Sequence, residues 1–309
     1  MKAIQIKKFG GPETLELVNI PKPDIKENEV LIRMKAAGVN PVDAKMRAGY
    51  LQKAIPVTLP KTLGWDASGI IETIGSRITR FKPGDEVYCA TSFTAGGSYA
   101  EFMAAPENEV ALKPKNISFA EAASLPIIAI TAYSFLFEHA NLQPGQKIAI
   151  VGAAGGVGAM AVQMAKHADA YVVGIGSGKD IDFILSLKSD EALDYRKPDY
   201  LDSIKDFDVV LDLVGGPSQN KLFPTVKKGG MLLSTVQPPD EEMAKAFGIH
   251  SMIAHAKGDY HILDKITEMV EAGQLKTRVG IILPLMQAVQ AHQLLEKGSS
   301  GGKIILEIN

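Results

Sequence analysis

Residues 146–158 read Gln-Lys-Ile-Ala-Ile-Val-Gly-Ala-Ala-Gly-Gly-Val-Gly, a short apolar strand running into a glycine-rich turn. Behind it, Ala159 to Lys166 is built from helix formers. In this strand–turn–helix setting the glycines have separate tasks. Gly155 lets the backbone approach a pyrophosphate, Gly158 lets the helix lie close on the strand, and the helix N-terminus turns free N–H groups toward phosphates. Ala153 occupies the first position of the fingerprint, which therefore reads Ala-x-Gly-x-x-Gly. The stretch predicts a dinucleotide site in which Ala154, Gly155, Gly156 and Val157 cradle the cofactor.

On either side of the turn the texture of the chain differs. The first 115 residues read as strands and turns, with β-rich runs at 29–34 and 69–74 and a turn at Lys82-Pro83-Gly84-Asp85 before a strand at 86–88. From about Ser118, helical patterns alternate with apolar runs at 146–152, 171–176, 208–214 and 230–236, the pattern of a parallel sheet with crossover helices. After about 258 come a helix (259–272), a strand (278–283), a helix near 285–297 and a closing strand (303–308). These last elements do not extend a six-stranded nucleotide sheet. The expected organisation is α/β, with residues 1–120 and 258–309 forming one domain and 121–257 inserted as a doubly wound parallel sheet.

Composition narrows the function classes. The chain has 309 residues, 46% apolar and 22% charged, which suits a two-domain globular protein. A formal net charge of -2 without long basic runs gives no electrostatic reason to expect nucleic acid. The single cysteine, Cys89, precludes an internal disulfide and fits a reducing compartment. The N-terminus alternates like a strand and lacks a secretory apolar core. The longest apolar run, Leu125 to Phe137, falls well short of the roughly 20 residues that span a bilayer and reads as a buried helix. A cytoplasmic location without membrane association is the expectation.

The residues after the second strand of the nucleotide sheet bear on cofactor choice. A site for NAD(H) normally places Asp or Glu there to accept from the ribose hydroxyls. Here Tyr171–Gly176 is followed by Ser177-Gly178-Lys179, whose hydroxyl and ammonium suit a 2′-phosphate. Asp180 sits one residue beyond the usual acidic position, and a shifted register would bring it into the site. The balance of these residues favours NADPH.

Residues 37–49, Ala-Gly-Val-Asn-Pro-Val-Asp-Ala-Lys-Met-Arg-Ala-Gly, resemble the signature of the quinone oxidoreductase (zeta-crystallin-like) family of medium-chain dehydrogenases/reductases. The resemblance continues through Leu63–Gly69, Gly97-Ser98-Tyr99-Ala100-Glu101, Ile130–Tyr133, the glycine turn, Ala192–Tyr195 and Gly302–Leu306. It implies a GroES-like, partly open β-barrel catalytic domain interrupted by a Rossmann domain, with the active site in the cleft between them and a homodimer as the assembly. It also implies Thr131, Ser234 and Gln237 at the nicotinamide half of the cofactor, Ser177, Lys179 and Tyr195 at the 2′-phosphate, and Asn40 and Tyr50 beside the reacting ring. Asp43 and Arg47 are expected as a surface ion pair at i, i+4.

Zinc-dependent members place Cys where this chain has Asn40 and His-Glu where it has Trp65-Asp66. A catalytic zinc needs about three Cys, His or carboxylate ligands, and an indole cannot serve as one. Nor do His250, His255 and His261, spaced by five and six residues, share one helical face. No metal is expected. Without a Lewis acid, the acceptor must itself delocalise incoming charge, as quinones and α,β-unsaturated carbonyls (enones) do. The anion formed then needs a hydrogen-bond donor and a proton, roles assigned here to Tyr50 and Asn40, with solvent as the alternative proton source. An NADPH-binding redox sensor or crystallin-like protein without turnover is the alternative from another class.

Overall fold

The computed structural model describes residues 1–93, 96–202, 204–254, 259–298 and 301–309. Contacts divide the chain into one unit of residues 1–130 with 257–309 and a second of residues 131–256. The first division falls inside a helix, whereas the sequence pattern placed it at residue 120.

In the first unit, β1 (Lys2–Ile6) and β2 (Leu15–Asn19) precede the long β3 (Glu29–Val39), which leads directly into α1 (Pro41–Arg47). Then follow β4 (Lys61–Thr62), β5 (Asp66–Ile74), β6 (Glu86–Ala90), β7 (Phe102–Pro106), β8 (Val110–Leu112), α2 (Phe119–Ala123) and α3 (Pro126–Tyr133). The second unit contains β9 (Lys147–Val151), α4 (Gly156–His167), β10 (Tyr171–Gly176), α5 (Ile181–Ser186), β11 (Glu191–Asp194), β12 (Phe207–Asp212), β13 (Val226–Ser234), α6 (Glu241–Phe247) and β14 (His250–Ile253). The chain returns to the first unit with α7 (Tyr260–Glu271), β15 (Val279–Pro284), α8 (Ala288–Lys297) and β16 (Lys303–Glu307).

β3 organises the first unit. It pairs antiparallel with β5, β7 and β16, and the larger sheet runs β15-β16-β3-β5-β6-β8. The small sheet β2-β1-β4 folds against this one, with the Ile4 amide donating to the Tyr99 carbonyl and the Glu101 amide to that of Lys2. The result is the partly open barrel. Its interior holds Ile4, Ile6, Ile32, Met34, Met46, Trp65, Ile304 and Leu306, all buried. Near its end β3 is covered on both faces, because α2 sets Ala123 against Ala36 and Ile305 on the outside.

The second unit is a parallel sheet in the order β11-β10-β9-β12-β13-β14. Counted from β9 as the first strand this is the 3-2-1-4-5-6 order of dinucleotide-binding folds, in which ligands lie at the carboxyl ends of the central strands. Val151, Val173, Ile175, Val210 and Leu232 fill the core on one face. The apolar run 125–137 is helical as expected, but α3 passes into a π-helical stretch at Ser134–His139.

One sequence expectation is corrected here. Asp43 and Arg47 are both buried, and they do not pair with each other. Arg47 reaches away from its own helix, donating to the Gly10 carbonyl at 3.1 Å, His292 Nδ1 at 3.1 Å and Glu296 at 2.5 Å. Helical spacing predicts the pair only when both side chains lie along the surface, and α8 covers this face. A guanidinium only donates, so His292 Nδ1 accepts and its proton sits on Nε2, facing the Tyr99 hydroxyl at 3.3 Å. Asp43 Oδ2 accepts from the Asn40 amide at 2.5 Å.

Burial, reinforced by the charge of Asp66, pushes the Asp43 carboxyl up to about 8. Burial, reinforced by the Arg47 charge, pushes His292 down to about 3. An unfolded Asp ionises near pH 4, so between about pH 4 and 8 the native state holds the extra proton and stability falls as pH rises. His292 acts in the opposite direction and only below about pH 6.5, where the unfolded imidazole gains a proton that the folded one does not. Between pH 6.5 and 8, urea unfolding should show a stability loss on the order of 1–2 kcal/mol due to Asp43. Asp43→Asn should flatten that slope, and parallel curves for wild type and variant would mean that Asp43 is already ionised in the native state.

Candidate active site

The glycine turn has the shape a pyrophosphate needs. β9 is followed by Gly152, whose φ of +84° lies in the left-handed region open to glycine. A Cβ on Gly158 would lie 2.2 Å from the Gly152 carbonyl oxygen, so this position must be glycine for α4 to rest on the turn. Gly155 is the N-cap of α4 and offers no side-chain cap, leaving the first N–H groups of the 12-residue helix without side-chain partners. Gly155 and Gly156 are exposed, with Ala154 and Val157 half-buried beside them. These residues fit a dinucleotide.

Strand register assembles the next group. β10 and β11 run parallel with Gly176 opposite Asp194, and the Tyr195 amide donates to the Gly176 carbonyl at 3.0 Å. This register sets Tyr195 beside the end of β10, after which Ser177 and Lys179 follow in the chain. Tyr195 and Lys179 are exposed. The Ser177 hydroxyl, however, donates to the Asp180 carboxylate, so Asp180 belongs to this cluster. Arg196 is the member that the sequence reading missed. It pairs with Asp194 at 3.1 Å and lies over Gly178, where a Cβ would meet its Nη2 at 2.4 Å. The guanidinium holds the Asp194 carboxyl below its usual range. Adjacency to Tyr195 was the available signal.

Ser234 and Gln237 are structural pieces of the turn that follows β13. Ser234 is fully buried, and its hydroxyl accepts from the Val236 amide at 3.2 Å. Gln237 Oε1 accepts from the Gly216 amide at 3.1 Å, and its Nε2 donates to Gln219 at 3.1 Å. Buried Asp212, at the end of β12, accepts from the Val214 and Gly215 amides and from Gln219. Ser234 fixes the backbone at the strand end, and Gln237 ties that loop to the one after β12. Thr131 is half-buried on α3.

In the first unit, Asn40 is buried in a polar constellation. Its Nδ2 donates to Asp66 Oδ2 at 2.9 Å, and its Oδ1 accepts from Lys303 Nζ at 2.5 Å. Lys303 also donates to Asp66 Oδ2 at 3.1 Å, while Asp66 Oδ1 accepts from the Ile127 amide at 2.7 Å. Tyr50 stands at the opposite extreme: it follows α1 on a turn and is 81% exposed. Trp65 is fully buried, its ring edge-on to Phe93 at 5.6 Å, and its position is one of core packing.

The chain matches two family models, an alcohol dehydrogenase GroES-like domain over residues 26–115 and a zinc-binding dehydrogenase over residues 187–306. It is 37% identical to the 2-methylene-furan-3-one reductase of Solanum lycopersicum over 99% of its own length and 79% of that protein's. Against the chloroplastic NADPH-dependent alkenal/one oxidoreductase of Arabidopsis thaliana, identity is 35% over the same shares. The structure of the quinone oxidoreductase from Coxiella burnetii superposes with a TM-score of 0.92 at 32% identity, covering 100% of this chain and 99% of that one. The chain belongs to the quinone oxidoreductase family of medium-chain dehydrogenases/reductases.

Membership raises the question of zinc, which the name of the second family model carries. The donor set does not fit it. Asn40 and Asp66 are already engaged by the Lys303 ammonium, and Trp65 supplies only a buried indole. Among the described residues no group of three or more His, Cys, Asp and Glu side chains is placed to hold a metal. His250 lies on β14 and His261 on α7, while His255 lies outside the described residues. No helix is long and apolar enough to cross a membrane among the described residues.

Gly155 and Gly158 make the cofactor site testable. At Gly155 a Cβ meets only the Gly152 oxygen at 3.2 Å, so Gly155→Val should fold while its branched carbons block the pyrophosphate. Gly158→Val should instead fail to fold. Fluorescence titration of a folded Gly155→Val protein that binds NADPH like wild type would remove this turn from the site.

Proposed function

We propose that this family member is a zinc-independent, NADPH-dependent reductase of quinones and α,β-unsaturated carbonyls. The observation that carries the reading is the Lys303 ammonium seated on Asn40 and Asp66, at the positions that correspond to metal ligands in the zinc-dependent branch. A site with a fixed protein cation and no metal donor set favours acceptors that spread charge over a conjugated system. The bound nicotinamide would supply a hydride to the conjugated carbon or quinone ring. The chain's residues then have to stabilise negative charge on the acceptor oxygen and return a proton.

Asn40 is proposed as an amide donor to that oxygen and Tyr50 as the proton donor. The exposure of Tyr50 supports exchange of its proton with solvent. For the cofactor, Lys179, Tyr195 and Arg196 supply cationic and hydroxyl donors for a 2′-phosphate, and Asp180, held by Ser177, marks where a ribose hydroxyl would otherwise be accepted. Two relatives, a 2-methylene-furan-3-one reductase and an NADPH-dependent alkenal/one oxidoreductase, point the same way. The reading carries a cytoplasmic location, supported by the lone buried Cys89. It also carries a homodimer, supported by edge strand β14 with Met252 exposed.

The direct test is cofactor oxidation with a panel of quinones and enones, using protein dialysed exhaustively against a chelator. Turnover should persist after dialysis and be faster with NADPH than with NADH. Stoichiometric zinc whose removal abolishes activity would overturn the metal assignment, and tight NADPH binding with no turnover would assign a binding protein. Tyr50→Phe keeps the ring and removes only the hydroxyl. It should lower kcat about 100-fold on enones, the typical cost of losing a positioned acid or oxyanion donor, and less on quinones, whose anions water protonates readily. Wild-type rates on both classes would make Tyr50 a wall residue and solvent the acid.

A further inference from the structure

The first unit brings a lysine from the last strand to the start of α1, far apart in sequence, by strand register alone. β16 pairs antiparallel with β3, Ile304 opposite Val39, so the next step sets Lys303 against Asn40. β5 lies on the other side of β3 with Asp66 opposite Gly38. Three adjacent strands thus deliver an ammonium, an amide and a carboxylate to one end of the sheet. All three residues are buried.

We infer that Lys303 is a positioning residue for the reduction, setting the orientation and donor strength of the Asn40 amide. This rests on the reading of the protein as a quinone and enone reductase. An ammonium only donates and a carboxylate only accepts, so the amide has one tolerable orientation. Turned over, its NH2 would face the ammonium and its oxygen the Asp66 carboxylate, two repulsions in place of two hydrogen bonds. In the observed orientation Nδ2 spends one hydrogen on Asp66, and the second makes no hydrogen bond among the described residues. The positive charge at Oδ1 draws electron density out of the amide and strengthens that second N–H as a donor toward an oxygen gaining charge.

Removing Lys303 alone leaves the Asp66 carboxylate buried without its cation, so the folding of each variant is established by circular dichroism before its kinetics are read, while the apolar neighbours Ile304, Ile305 and Leu306 continue to hold β16 in place. The backbone of Asn40 is fixed separately, by Asp43 Oδ2 accepting from its N–H. What Lys303 adds is the direction and polarisation of one side chain.

The experiment compares Lys303→Met, Lys303→Gln and Lys303→Arg in the full chain, on an enone and a quinone with NADPH. Lys303→Met should lower kcat on the enone by about 10-fold or more, with a smaller loss on the quinone. Lys303→Gln, which keeps a donor but not the charge, should fall between Met and wild type, and Lys303→Arg should recover most of the rate. KM and the Kd for NADPH should stay within about twofold of wild type, a split that general loosening of the fold would not give. The Asn40 side-chain amide should show two distinct nitrogen-bound proton signals in wild type and a changed pair in Lys303→Met. Should Lys303→Met fail to fold, Lys303→Gln decides. Wild-type kcat in the folded variants, or an unchanged Asn40 amide pair, overturns the inference while leaving the reductase reading intact. A wild-type protein that turns over no member of the panel rejects the reductase reading itself, and the inference with it.

Discussion

The antiparallel pairing of β16 with β3 is the constraint on which the first unit depends. β3 is hydrogen-bonded to β5, β7 and β16, so the chain's final strand is an interior strand of the barrel sheet, with β15 beyond it. An interior strand must satisfy its backbone groups on both sides, and here those partners come from residues more than two hundred positions apart. The N-terminal strands therefore cannot complete their sheet until the nucleotide unit has been made and passed. The same register carries chemistry: it places Lys303 beside Asn40, and β5 completes the group with Asp66. Fold closure and site assembly are one event.

The second unit obeys a different constraint, the close approach of backbone to backbone. Gly158 must lack a Cβ for α4 to sit on Gly152, and in the proposed cofactor site Gly155 would leave room for a phosphate to reach the helix N-terminus. The first is a folding requirement and the second a binding requirement, encoded three residues apart. Parallel register extends the site sideways, because Gly176 opposite Asp194 makes Tyr195 and Arg196 neighbours of Ser177 and Lys179. A glycine at 178 lets the Arg196–Asp194 pair lie flat against that loop.

Much of this was legible in the sequence, and the parts that were not share a cause. The glycine turn is local: strand, turn and helix follow one another, and spacing alone fixes their geometry. The alternation of apolar runs likewise marked four of the six strands of the second unit, the runs at 146–152, 171–176, 208–214 and 230–236 falling on β9, β10, β12 and β13, because parallel strands buried on both faces are continuous apolar stretches. The order of elements after 258 also announced the return to the first unit. Asp43 and Arg47 misled because i, i+4 spacing says which side chains are neighbours on a helix but not which face of that helix is covered. α8 covers it, and Arg47 turns to His292 and Glu296. Lys303 was quoted within a strand signature, yet nothing nearby in sequence marks it as polar in purpose; only the register with β3 does.

Asn40 and Trp65 show how one scaffold serves two chemistries. In the zinc-dependent branch these positions are read as metal ligands, and a metal supplies positive charge that enters and leaves with pH and ligand exchange. Here the charge is covalently attached to the last strand and balanced by Asp66, while Trp65 fills the space with apolar volume in a T-shaped contact with Phe93. A lysine carries one unit of charge, and two of its three N–H donors are spent on Asn40 and Asp66. Its influence passes through the amide, whose dipole is much weaker than a metal's field. Such a site can assist an oxygen whose new charge is already shared with a conjugated system, but it gives little help to a localised alkoxide. In the proposed reading, an amide and an indole at metal-ligand positions, with a tethered ammonium beside them, would favour conjugated acceptors through the limited strength of the charge the site can bring to bear.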